Sequence, residues 1–87
     1  MEKQPPRDSS LPASAMPLSN TVPEGFPPCI YRIFNAKTGK QYVGSAKNLR
    51  QRVINHRKLL RNGGHHSAHM QRSFVKHGEG VFYVQAL

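Results

Sequence analysis

The sequence predicts an α+β domain: a small three-stranded antiparallel sheet with two helices, in the order β-β-α-α-β. Three observations predict it. Two short runs of β-branched and aromatic residues flank a glycine-containing turn. An apolar stripe of helical period follows, opened by a capping asparagine and closed by paired glycines. A last β-branched and aromatic run ends the sequence.

Residues 1–28 hold all seven prolines, with Ser, Ala and Gln between them. Proline fixes φ and lacks an amide donor, and low hydrophobicity leaves little to bury against the entropy of ordering. The expectation is a disordered or extended N-terminal arm, a tether or docking segment, ahead of a domain over residues 29–87. Cys29-Ile30-Tyr31-Arg32-Ile33-Phe34 reads as the first strand, Asn35-Ala36-Lys37-Thr38-Gly39 as a turn, and Gln41-Tyr42-Val43-Gly44-Ser45 as the returning strand. The two-residue period puts Cys29, Tyr31 and Ile33 on one face, and Tyr42 and Gly44 together on a face of the second strand. A glycine beside an aromatic permits close approach of backbone or ligand. Asn48 is a good N-cap, and Leu49, Val53, His56 and Leu60 recur at helical spacing, with Leu59 widening the stripe. Asn62-Gly63-Gly64 stops that helix, with Arg61 in its last turn, where the dipole favours a cation. Ser67 caps a second, short helix with Met70 and Phe74 as its apolar pair, and His77-Gly78 ends it. Val81 to Leu87 reads as the third strand. A core of this size supplies roughly 3–5 kcal/mol, which points to a piece of a larger domain or to one completed by a partner.

Charge narrows the partner. The 87 residues carry 13 Lys+Arg against 4 Asp+Glu, and from Cys29 onward Glu79 is the single carboxylate side chain. A compact domain this basic repels itself unless a polyanion is near, so nucleic acid is the expected partner. No helix has the large apolar face that an anionic membrane surface requires, and no apolar run is long enough for a span. The lone Cys29 excludes an intramolecular disulfide. With no continuous apolar stretch near its start, the sequence is expected to stay inside the cell, in the cytoplasm.

Two phenols, Tyr31 and Tyr42, and the guanidinium of Arg52 are the groups suited to proton transfer and charge stabilisation at a phosphodiester. Arg52 and His56 lie four apart and share a helical face. Each also has a plainer reading: the tyrosines as half-buried strand aromatics with rim hydroxyls, Arg52 as a solvated helix arginine, His56 as the edge of an amphipathic helix. A phenol titrates near pH 10 (about), so it is a poor base at neutral pH unless Arg52, Lys40 or a metal-bound water lowers its pKa. His65, His66 and His69 cluster, yet no second ligand pair has structural-zinc spacing, and no metal-ligating residue is assigned. Lys40, Lys47, Arg50, Arg57 and Arg72 are candidates for phosphate contacts, and each alone reads more readily as a solvated surface charge.

Cys29-Ile30-Tyr31, Tyr42-Val43-Gly44-Ser45, Asn48-Leu49, Arg52, His56, Gln71-Arg72-Ser73-Phe74 and the Phe74-to-Gly78 helix ending resemble the GIY-YIG nuclease family. The likeness runs from about Cys29 to Leu87 and is strongest to phage-type and intron-encoded homing endonucleases. It implies metal-dependent hydrolysis of DNA phosphodiesters. It implies active-site positions for Tyr31 and Tyr42, one of them the base that activates water. It implies a phosphate-neutralising role for Arg52, supporting roles for His56 and His65, and a small residue at Gly44, where bulk would block substrate. Cys29 stands where the first tripeptide of the family has glycine. The family's single divalent metal, Mg²⁺ or Mn²⁺, is held by a glutamate on a helix after the third strand, where this sequence has no counterpart. Cleavage by this chain alone is therefore expected to be impaired or absent. The alternative is a non-catalytic, basic DNA-binding remnant. A second chain or a further C-terminal segment is expected to complete the domain, in a bacterial or phage setting.

Overall fold

A computed structural model describes residues 11–87. Its strands are β1 (Met16–Pro17), β2 (Cys29–Asn35), β3 (Gln41–Ala46) and β4 (Phe82–Ala86). The helices are α1 (Leu49–Arg61) and α2 (Ala68–His77), and a single 3₁₀ turn, Glu79–Val81, leads into β4. The sheet is antiparallel throughout, in the order β1-β4-β2-β3. The expected α+β architecture is present, with its three strands and two helices in the expected order, and β1 adds a short fourth strand.

Local chemistry explains each boundary. Asn35, fully buried, folds the β2–β3 turn: its Oδ1 accepts from the amides of Lys37 (2.8 Å) and Thr38 (3.2 Å). Its Nδ2 donates to Ser73 Oγ at 2.9 Å, which ties the turn to α2. Gly39 closes the turn at φ +81°, a left-handed conformation that glycine adopts without strain. Asn48 caps α1 by accepting from Gln51 N at 3.1 Å, and Ser67 caps α2 by accepting from Met70 N at 3.3 Å.

Leu49, Val53 and Leu60 of α1 and Met70 of α2 pack on Tyr31, Ile33, Phe82 and Val84 of the sheet. Both helices thus lie on one sheet face. On the other, Ile30, Val43 and Leu87 are exposed. Arg32 crosses that face, donating to Gln85 Oε1 (2.8 Å) and Gln41 Oε1 (3.0 Å), with its guanidinium 4.0 Å from the Phe34 ring centre.

The expected disordered arm needs correction. Residues 1–10 lie outside the described residues. Residues 11–28 are folded onto the sheet. Leu18 and Val22 are 0% and 1% exposed, among the most deeply buried side chains, and Met16 and Phe26 pack beside them. Met16 pairs with Val84 and Pro17 with Tyr83, and Leu18 N donates to Phe82 O at 2.9 Å. Pro17 is tolerated because β1 is an edge strand, where a missing amide breaks no second ladder. Arg57 reaches from α1 to the carbonyls of Leu18 (2.8 Å) and Asn20 (3.2 Å), and Glu24 pairs with Arg50. A few apolar residues with a side chain–backbone tie thus order a segment that its proline content marks as extended.

Candidate active site

The antiparallel register puts Tyr31 directly opposite Gly44, and Ile33 opposite Tyr42. Tyr31 is buried, and its hydroxyl lies where a side chain at Gly44 would be. A Cβ built on Gly44 would sit 2.8 Å from Tyr31 Oη and 3.0 Å from Cζ. The close approach that glycine was expected to permit is that of the phenol on the neighbouring strand. Gly44→Ala therefore forces the Tyr31 ring off its 2.6 Å hydrogen bond to His56 Nε2. We expect a loss of about 1–3 kcal/mol, the usual cost of overpacking, read as a lower urea midpoint with an unchanged m-value.

Around these two strands the structure assembles Tyr31, Tyr42, His56, His65 and His66. His56 Nδ1 meets His65 Nε2 at 2.8 Å, and Ser67 N donates to His65 Nδ1 at 3.0 Å. Tyr42 Oη meets His66 Nε2 at 2.9 Å. The Tyr42 ring stands edge-on to His56, His65 and His66 with centroids 5.0, 5.7 and 5.4 Å away. Gln71 fixes the loop that carries the last two histidines: its Oε1 accepts from His65 N (2.9 Å) and its Nε2 donates to Leu60 O (3.0 Å).

Burial decides the electrostatics here. The Tyr31 phenol is pushed up to about 12, first by desolvation and then by Tyr42, with Arg52 pulling the other way. Burial outweighs the guanidinium at Tyr31, so this phenol remains a poor base at neutral pH. His56 is pushed down to about 4 by desolvation and by His65, His66 and Arg52, and His65 is lowered by burial and by His66. Both histidines are neutral at pH 7.

The cations divide. At the start of β3, Lys40 and Tyr42 open onto a hollow over Met70 and Phe82. Beyond Gly44, Arg52 and Lys47 line a second hollow with Ser45 and Asn55. Arg52 Nη2 donates weakly to Ser45 O at 3.4 Å, and its charge is felt by both Tyr31 and His56. Tyr42 and Arg52 thus line two separate hollows, and the buried Tyr31 lines neither. Arg72 joins Lys40 and Lys76 in a neighbouring depression. Arg50 and Arg57 are engaged by the N-terminal segment.

Mg²⁺ and Mn²⁺ favour carboxylate and other oxygen donors. Among the described residues, no three His, Cys, Asp or Glu side chains gather to hold an ion. Glu79 is gripped by Arg61 through two 2.7 Å bonds, which hold its carboxyl below the ordinary range. Glu24 is paired with Arg50, and both ring nitrogens of His56 and of His65 are occupied. The described residues do not fit such a metal.

His66, Ser67 and Gln71 were not assigned site roles from the sequence. The adjacent His65-His66 pair was a signal, but only the fold shows that His66 reaches Tyr42.

Residues 27–85 match the family model described as the GIY-YIG catalytic domain. The chain belongs to the GIY-YIG family. Intron-associated endonuclease 1 of Enterobacteria phage T4 is 51% identical over 49 residues, which are 56% of this chain and 20% of that protein. The solved catalytic domain of the homing endonuclease I-TevI aligns with a TM-score of 0.66 at 45% identity, covering 69% of this chain and 64% of that one. A glutamate-to-alanine variant of the same catalytic domain aligns with a TM-score of 0.66 at 45% identity, covering 71% and 63%. The chain therefore spans a fifth of the curated relative and just under two thirds of the solved domain. Among the described residues no helix is long and apolar enough to cross a membrane.

Proposed function

We propose that this domain binds DNA and sets a phosphodiester against the Tyr42–Tyr31–Arg52 region for hydrolysis. The observation that carries the reading is the convergence of two phenols on a bed of histidines, with Arg52 nearby and Lys40 and Lys47 in the flanking hollows. The similarity to phage and intron-encoded endonucleases supports DNA as the substrate. Lys40, Lys47, Arg72 and Lys76 hold the strand through its phosphates, so affinity falls steeply with salt. Arg52 faces the charge that grows on the phosphoryl oxygens as water attacks. Tyr42 is the half-exposed phenol and contacts the reacting group. Tyr31, buried and protonated at neutral pH, supports it from below. A divalent metal held by a carboxylate from outside residues 11–87 would supply Lewis acidity to such a reaction.

A plasmid-nicking assay with Mg²⁺ or Mn²⁺ tests the reading. Nicking that drops about 10²–10³-fold in Arg52→Ala, the scale of losing one preorganised charge stabiliser, and that also falls in Tyr42→Phe, supports the enzyme. A second reading, DNA binding without cleavage, is favoured by the ion-paired state of Glu24 and Glu79. It predicts salt-sensitive binding, no nicking, and no effect of Tyr42→Phe.

A further inference from the structure

The hydrogen bonds around Tyr31 form a line with one fixed end. Ser67 N sits 3.0 Å from His65 Nδ1, and a backbone amide can only donate. His65 Nδ1 is therefore the acceptor, and in the neutral ring the proton sits on Nε2. That Nε2–H faces His56 Nδ1 at 2.8 Å, so His56 Nδ1 accepts and its proton sits on Nε2. His56 Nε2–H then faces Tyr31 Oη at 2.6 Å. Reversing any link would set two N–H groups against each other at Ser67. Turning either ring over would forfeit bonds at both of its nitrogens, so the ring orientations are fixed by the same contacts. Both histidines are neutral at pH 7, as the count of one proton per contact requires.

We propose that the Ser67 amide polarises this relay in one direction, making His65 and His56 positioning residues and Tyr31 an obligatory hydrogen-bond acceptor. Neither histidine has a free lone pair, so His56 is not the base of the site. Tyr31 turns its own proton away from His56, and an anionic oxygen at Tyr31 would be met by an N–H already in place. The catalytic meaning rests on the proposed nuclease reading. The polarity does not, and it is measurable in a chain that cuts nothing.

The test is long-range ¹H–¹⁵N NMR of the full chain with ¹⁵N-labelled histidine at pH 7. Nε2–H tautomers for both His56 and His65 are expected. An Nδ1–H tautomer at either ring, or rapid averaging of the two forms, overturns the proposal. Ser67→Pro deletes the amide, while Ser67→Ala keeps it and removes only the helix cap. Tautomer averaging at His65 in Ser67→Pro with none in Ser67→Ala supports the assignment. Unchanged Nε2–H signals in a folded Ser67→Pro overturn the role of the amide. Should that variant unfold, the unsubstituted chain still decides the polarity. Loss of nicking with intact tautomers would count against the nuclease reading alone.

Discussion

Leu18→Ala is expected to cost about 3 kcal/mol, within the range for emptying a buried leucine site, and to leave much of the protein unfolded at 37 °C. Leu18 is fully buried against the sheet core, with Val22 beside it. Its backbone is held at both ends, by Phe82 O and by the Arg57 guanidinium, so the segment cannot slide to refill the void. A core of this size carries a margin of roughly 3–5 kcal/mol, so a single void consumes most of it. Urea denaturation followed by circular dichroism gives the value. A midpoint within experimental error of the parent would mean that residues 11–28 do not hold the domain together.

Acid should loosen the fold well above the carboxylate range. An unfolded histidine binds its proton near pH 6.5, whereas His56 in the fold does so only at about 4. Between these values the unfolded chain binds more protons, so stability is full above pH 6.5 and is lost as pH falls toward 4. One group shifted this far would contribute about 3 kcal/mol, and about 2 kcal/mol remains after allowing for solvent screening. His65 is shifted the same way and steepens the fall. Tm measured from pH 7.5 to 4 should drop most steeply below pH 6.5. His56→Gln should flatten that drop, and an unflattened curve would place the sensitivity elsewhere.

Most of this fold was legible because its signals are local. Asn48 and Ser67 announce their helices through their own capping oxygens, and Gly63 and Gly78 end them at φ +78° and +83°. The β2–β3 hairpin carries its turn chemistry within a few residues. The site was legible in part for the same reason: Tyr31, Gly44 and His56 follow from strand and helix periods. What stayed hidden depends on distant partners. Leu18 and Val22 look like isolated apolar residues in a proline-rich run, and only β4 and α1 give them a core to enter. The split of the cations was hidden likewise, since Glu24 neutralises Arg50 across a long stretch of sequence. The direction of the Tyr31 pKa stayed open because sequence lists charges but not desolvation.

Pairing of Met16 with Val84 joins two residues from opposite ends of the described chain. Such closure carries a high contact order, and it cannot happen on a translating ribosome until the last strand has left the exit tunnel. The β2–β3 hairpin and α1 can form early, leaving Leu18 and Val22 to dock last. During synthesis the nascent domain would pass through a stage with an open sheet margin, when a holdase chaperone has most to gain by binding it.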